Sequence, residues 1–198
     1  MKELAMRLLK LAIWPLAAAL FIGLYFAGNI KGYYRFKELC AKEAGLKVSQ
    51  PLERGVGWLA HKNEAGYLLY FFKDIAFVRY VDESQNQQDL IRTNEKNRPS
   101  DNGFRQRPVD ITKQLAYEFD KAIGTVSGED RLTKYQTTVT NLQNGKVSVA
   151  YQDFTYQLFS PDWGVAQGSA CSSLGRRDSS ERPTRAQETS IQNAFSSK

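Results

Sequence analysis

One uncharged apolar stretch near the N-terminus, Leu11–Gly28, constrains this chain more than any other feature. Its 18 residues, LAIWPLAAALFIGLYFAG, include no charged side chain, and Lys10 and Lys31 flank it. A helix of that length spans about 27 Å, close to the hydrocarbon thickness of a bilayer. The stretch therefore predicts a membrane anchor, with a separate domain attached to its C-terminal end.

Two other readings of this stretch stay open. A cleaved secretory signal needs a basic N-terminal region, which Lys2, Arg7 and Lys10 supply, but also a cleavage site made of small residues. The exit Leu24–Gly28 is too bulky for a good site of that kind. A buried core helix would normally show a polar face, and this stretch has none. The retained anchor is the hypothesis that we carry forward.

Aromatic residues fit the anchor hypothesis, because Trp14 and Tyr25 lie near the two ends of the stretch. Aromatic side chains favour the membrane–water interfaces. Pro15 lies near the helix start, where a missing backbone donor has little consequence. The residues assigned to the anchor are Leu11, Trp14, Pro15, Leu20, Phe21, Leu24 and Tyr25.

The orientation of the anchor is not decided by charge, since basic residues flank it on both sides. A short N-terminus followed by one span and a domain is typical of an uncleaved signal-anchor. This layout favours a cytoplasmic N-terminus and a periplasmic domain. We therefore expect a single-pass protein of the inner (plasma) membrane.

The composition divides the chain into four parts. A short basic tail (1–10) precedes the anchor (11–28), a soluble domain covers 33–175, and a flexible tail covers 176–198. About 170 residues beyond the anchor are enough for one domain with a core of its own. Ile191 and Phe195, four residues apart in the tail, can form one amphipathic turn that docks on the domain or on a partner.

The fold class predicted for the domain is α+β: a small, mostly antiparallel sheet with one or two helices. Aromatic residues make up 12% of the chain, which favours a sheet-containing core. The pattern predicts helices over Tyr33–Ala44 and Ile111–Ile123, the latter with an extended alternative. It predicts strands over Tyr67–Phe72 and Ile75–Val81.

A hairpin is predicted over Tyr135–Leu158, because Asn144-Gly145 is a strong signal for a two-residue turn. That turn would place Leu142 opposite Val147 and Tyr135 opposite Phe154.

The two cysteines, Cys40 and Cys171, lie far apart in the sequence. This spacing excludes a C-x-x-C redox or zinc motif. In an oxidising compartment the two can pair, and closing a loop of about 130 residues would stabilise the fold by about 4 to 5 kcal/mol in the chain-entropy model. Two unrelated buried thiols are the alternative.

A polar segment, Asp82–Pro108, is predicted to be a long loop with a concentration of basic side chains. A solvated loop explains it most simply, and a surface for anionic lipid headgroups is the weaker alternative. The basic residues are Arg92, Lys96, Arg98, Arg105 and Arg107.

No local motif for catalysis, cofactor binding or metal binding is present. The chain has a single histidine, His61, and contains neither a nucleophile elbow nor a phosphate-binding loop. We therefore assign no catalytic residue, no cofactor and no metal. Aromatic residues without interleaved basic residues, together with the anchor, argue against a nucleic-acid partner.

The layout resembles that of small inner-membrane-anchored proteins of Gram-negative bacteria with a periplasmic domain. The resemblance rests on the short basic N-terminus, the single span, the Tyr/Phe-rich domain and the late cysteine. An anchored α+β domain with no readable active site favours a non-enzymatic accessory protein that contacts the lipid bilayer and binds an envelope protein. The alternative is an envelope enzyme, such as a hydrolase, that uses His61 with an acidic neighbour.

Overall fold

A computed structural model describes residues 2–93, 103–157, 168–174 and 183–195. Its first element, α1, is a single helix of 41 residues, Lys2–Lys42. The predicted anchor and the predicted helix Tyr33–Ala44 are parts of this one element. The polar residues Asn29–Gly32 between these two parts are helical as well. A polar segment can continue a helix when its backbone bonds are satisfied on both sides.

Within the described part of the chain, one helix is long and apolar enough to cross a membrane, and it lies near the N-terminus over Ile13–Lys42. None of its most apolar 18 residues is buried inside the protein. This exposure argues against a buried core helix. The anchor residues Trp14, Leu20, Phe21 and Leu24 are 79%, 67%, 73% and 69% exposed. The side chains of Leu11 and Tyr25 lie outside the described residues.

The described part of the domain after α1 contains short and long strands and two further α-helices, one between β2 and β3 and one after β9. The strands form one mixed sheet, which confirms the α+β class and the mainly antiparallel pairing, although the nine strands in the described residues exceed the small sheet that we predicted. The elements are β1 (Gly45–Val48), β2 (Gly57–Leu59), α2 (Lys62–Phe71), β3 (Phe77–Val81), β4 (Gln87–Arg92), β5 (Phe104–Pro108), β6 (Leu115–Val126), β7 (Glu129–Asn141), β8 (Val147–Gln157), β9 (Gly168–Ala170) and α3 (Pro183–Gln192).

The strand order is β1-β8-β7-β6-β2-β3-β4-β5, and β9 pairs with β8 beyond the end of β1. Among the described strands, the parallel pairs are β2–β3 and β2–β6. Because α2 connects β2 to its parallel neighbour β3, these three elements form a βαβ unit. This unit explains one wrong prediction: the segment Tyr67–Phe72 was expected to be a strand, but it belongs to α2 and its C-cap.

The buried residues of α2 show the helical spacing that its aromatic composition concealed. Ala65, Leu68, Leu69 and Phe72 are each at most 1% exposed and recur at i, i+3, i+4 and i+7. The prediction of a strand over Ile75–Val81 is confirmed by β3.

Two other segments differ from prediction. The expected loop Asp82–Pro108 contains β4 and β5, which pair with each other and with β3. The expected helix Ile111–Ile123 is wrong, because β6 covers most of it, as the extended alternative stated. Before β6, the carboxylate of Asp110 accepts hydrogen bonds from the backbone N–H and the hydroxyl of Thr112 in a turn.

The β7–β8 hairpin exists, but its predicted register is wrong by one residue. Tyr135 lies opposite Asp153, and Lys134 lies opposite Phe154. The connection is longer than two residues, since Asn141 N–H donates to the Lys146 carbonyl, and Gly145 has a φ of +66°. The longer turn displaces the pairing by two residues, so that Val147 lies opposite Thr140 instead of Leu142, and a bulge between Val139 and Thr140 reduces the displacement to one residue. In a strand a one-residue shift exchanges the two faces.

The core forms two clusters on opposite faces of the sheet. The larger cluster lies under α2 and the C-terminal segment and centres on Trp58. Ile191 and Phe195, from the segment expected to be a flexible tail, are 0% and 6% exposed in this cluster. Phe195 stacks on Trp58 with ring centroids 6.0 Å apart. The smaller cluster joins α1 to β7 and β8.

Candidate protein-interaction site

The C-terminal part of α1 is fixed to the β8 side of the sheet by the smaller cluster. Phe36 is fully buried and stacks on Tyr156, with ring centroids 5.9 Å apart. The Tyr156 hydroxyl donates to the backbone carbonyl of Asn29 at 3.0 Å. A Cβ added at Gly32 would lie 2.7 Å from that hydroxyl, so glycine permits this close approach. The domain therefore begins to contact α1 directly after the apolar stretch.

A disulfide joins Cys40 of α1 to Cys171, which follows β9, with the two Cα atoms 5.3 Å apart. The half-cystines are 131 residues apart in sequence. This bond closes the chain around the whole sheet and holds segment 168–174 beside β8. We call α1, the disulfide, β1 and β9, where they meet β8, the anchored side.

A buried carboxylate supports the same segment. Asp153 is 4% exposed, and one of its oxygens accepts a hydrogen bond from the Ser172 hydroxyl at 3.0 Å. The other accepts from the Phe154 backbone N–H at 2.8 Å. Burial raises the pKa of Asp153, while the hydrogen bonds from Ser172, Phe154 and Cys171 oppose that rise. The anchored side therefore contains a group whose charged form is disfavoured.

The opposite side, which is the β5 end of the strand order and not the other face of the sheet, contains a buried ion pair between β3 and β4. Arg79 Nε and Asp89 Oδ1 are 2.7 Å apart, and a second bond of 3.0 Å makes the pair bidentate. Arg79 also donates to the Asp110 carbonyl, and the Asp110 N–H donates to Asp89. The pair raises the pKa of Arg79 and fixes the connection from β5 to β6.

β5 is the outermost strand on this opposite side, and within residues 2–93, 103–157, 168–174 and 183–195 no strand pairs with its outer edge. The Thr93 N–H donates to the Gly103 carbonyl, which identifies that pair as hydrogen-bonded. Because hydrogen-bonded and non-bonded pairs alternate in an antiparallel ladder, Arg105 and Arg107 bond to β4. The backbone groups of Phe104 and Gln106 therefore point outwards.

The side chains of β5 give this edge a positive charge. Arg105 and Arg107 are both exposed and share one face of the sheet. Their cross-strand partners on β4 are Ile91 and Asp89. We call Phe104–Pro108, with its outward backbone groups and two arginines, the free edge. Pro108 has no N–H, so Phe104 and Gln106 supply the outward donors.

Of the five basic residues singled out in the sequence, the structure brings Arg105 and Arg107 together on β5. Arg92 has a different environment: its guanidinium donates to the carbonyls of Leu69, Phe72 and Lys73 at the C-terminus of α2. Lys96 and Arg98 lie outside the described residues.

His61, the residue on which the enzyme alternative depends, precedes α2 and lies near a carboxylate. Its Nε2 is 3.9 Å from Asp120 Oδ1, but the two side chains are 81% and 57% exposed. Such an exposed pair lacks the desolvated environment that tunes catalytic groups. Among the described residues, no group of three or more His, Cys, Asp or Glu is placed to hold a metal ion.

Comparison of the chain with family models, with curated proteins and with solved structures gives no match. The candidate site therefore rests on the chain's own geometry. Sequence reasoning missed the free edge because it assigned the segment to a loop. No alternation of apolar and polar residues marks this strand, because Arg105, Gln106 and Arg107 are all polar and exposed.

Proposed function

We propose that this chain is a single-pass inner-membrane protein of bacteria whose periplasmic domain binds another envelope protein without catalysing a reaction. The observation that carries the proposal is the continuity of α1. The same helix contains the exposed apolar stretch and the buried Phe36, and it is disulfide-bonded to the domain through Cys40. An anchor of this kind holds a binding domain at the membrane surface.

The proposed orientation follows from the disulfide. Disulfides persist in oxidising compartments such as the bacterial periplasm and are rare in the cytosol. Cys40 lies on the C-terminal side of the apolar stretch, and Cys171 belongs to the domain. Both cysteines are therefore expected in the periplasm, with the N-terminal tail in the cytoplasm.

Thiol labelling in intact cells tests this orientation. Cells expressing the full chain are treated with a membrane-impermeant maleimide, with and without the impermeant reductant TCEP, and the protein is then denatured and labelled with a second maleimide. We expect impermeant labelling of Cys40 and Cys171 only after TCEP treatment. Labelling without reductant, and only after the inner membrane is broken, would place the domain in the cytoplasm and contradict the proposal.

The binding role is tested by site-specific crosslinking in cells. A photoreactive residue replacing Gln106 on the free edge reports partners there and keeps both arginines, and one replacing Lys47 on β1 reports partners on the anchored side. We expect a discrete adduct with an envelope protein at one of these edges. A domain that forms no adduct at any exposed position would refute the binding role.

The enzyme alternative has weaker support, since the feature in its favour among the described residues is the exposed pair of His61 and Asp120. His61→Ala separates the two functions. The binding role predicts unchanged crosslinking in this variant, because His61 lies on neither the free edge nor the anchored side.

A further inference from the structure

We infer that the free edge is a strand-addition site whose partner is an extended acidic segment of another protein. This inference rests on the proposed binding function and names the chemistry of its partner. An added strand would pair with the outward backbone groups of Phe104 and Gln106. Its side chains would lie beside Arg105 and Arg107.

The outward backbone groups of β5 can pair with an added strand. Phe104 and Gln106 each direct one N–H and one C=O away from β4, and Pro108 directs a third carbonyl. Outward groups of an edge strand form a ready template for another strand. The neighbouring strands β4 and β3 keep this template rigid, since Arg79 and Asp89 join them by a buried bidentate pair.

The positive charges of the two arginines on β5 favour an acidic strand as the partner. Arg105 and Arg107 are two residues apart, so both face the same side of the sheet. Two copies of this edge would bring arginines against arginines, which disfavours self-pairing. A strand with acidic residues at every second position would instead place a carboxylate beside each arginine.

The free edge lies far from the anchored side in the strand order. Six strand spacings separate β8 from β5 in the sheet order, which corresponds to about 29 Å at 4.8 Å per spacing. The anchored side and the free edge are therefore far enough apart to be occupied at the same time. The other outer strand, β1, begins three residues after α1 and contacts α3, and its only basic side chain is Lys47.

The test uses the full chain in detergent micelles and a fluorescein-labelled ten-residue peptide of alternating Glu and Val, with blocked termini. One control peptide has the same sequence with every backbone nitrogen methylated, which keeps the charge and removes the donors. A second control peptide alternates Lys and Val. Binding is measured by fluorescence anisotropy. We expect the first peptide to bind and both controls to bind at least about tenfold more weakly.

Three variants locate the site. Arg105→Glu/Arg107→Glu reverses the charge, and Gln106→Pro removes an outward N–H without removing a bond to β4. Each is expected to weaken binding by about tenfold or more. Lys47→Glu, a charge reversal on β1, is the matched control and is expected to change binding by less than about twofold. Thermal unfolding midpoints verify that all variants are folded.

Equal binding of the methylated peptide would overturn the inference, since it would make the edge a charged surface only, such as one for anionic lipid headgroups. Equal effects of Lys47→Glu and the double arginine variant would also overturn it. Cellular crosslinking keeps the two proposals distinguishable. If adducts form only through position 47, the binding function stands and this inference fails; if none forms anywhere, the binding function itself fails.

Discussion

On the anchored side, α1, a disulfide and an aromatic cluster hold the chain to β8, whereas on the opposite side one buried ion pair joins β3 to β4. The contacts on the anchored side join residues far apart in sequence, such as Cys40 and Cys171. Those around the ion pair are local, since Arg79 and Asp89 are ten residues apart. Attachment of α1 to the sheet therefore depends on residues far apart in sequence, whereas the free edge is built from one short segment.

The largest expected effect is on the side of the ion pair. Asp89→Ala leaves the Arg79 guanidinium buried without its carboxylate, which is expected to reduce the free energy of unfolding by about 3 to 5 kcal/mol. Urea denaturation of the full chain measures it. Asp120→Ala, which removes an exposed carboxylate on β6, is the control and should cost less than about 0.5 kcal/mol. Equal costs of the two variants would mean that the ion pair does not stabilise this side.

The next effect is on the anchored side. Cys40→Ser/Cys171→Ser is expected to lower the free energy of unfolding by about 2 to 5 kcal/mol, because the open chain gains entropy when unfolded. Reductant should produce the same loss in the natural chain and no change in the double variant. An unfolding midpoint of the natural chain that is insensitive to reductant would contradict the disulfide's contribution.

The pH dependence of the anchored side is a smaller effect with a defined sign. Because the pKa of Asp153 is raised above its ordinary value of 3.8, the folded protein holds this proton more tightly than the unfolded chain. Stability contributed by the group is therefore present below 3.8 and is lost as pH rises through the raised pKa. Thermal midpoints of the natural chain, relative to Asp153→Asn, should fall over that window. A pH-independent difference would contradict the burial argument.

The smallest effect concerns the exposed contact between α1 and the β6–β7 turn. Arg35 and Glu129 are 3.7 Å apart, with side chains 44% and 20% exposed. Arg35→Ala is expected to change the free energy of unfolding by less than about 1 kcal/mol. A larger loss in urea denaturation would show that α1 is held to the domain by charge as well as by Phe36.

The features predicted from the sequence are those that depend on local pattern. The apolar stretch, β3 and the existence of the β7–β8 hairpin follow from hydrophobicity, alternation and a turn signal. Tyr67–Phe72 was wrong because its aromatic composition is typical of strands, while its helical form depends on the connection between two parallel strands. The hairpin register was wrong because Leu142 and Gln143 belong to the turn.

The candidate site was harder to predict for a physical reason. An edge strand such as β5 buries little apolar surface, so its composition is that of a loop. Its identity depends on pairing with β4, which sequence alone does not show. The pairing of Cys40 and Cys171 was one of two alternatives, because sequence spacing does not determine whether two distant thiols meet.

Amide hydrogen exchange of the full chain in detergent micelles, resolved by NMR, tests the contrast between the two sides most directly. The account predicts alternation on β5: the Phe104 and Gln106 amides exchange rapidly, whereas those of Arg105 and Arg107 are protected by β4. Amides of β8 next to the disulfide should be protected without alternation. Equal protection of Gln106 and its two arginine neighbours would show that this edge is already covered and would contradict the account.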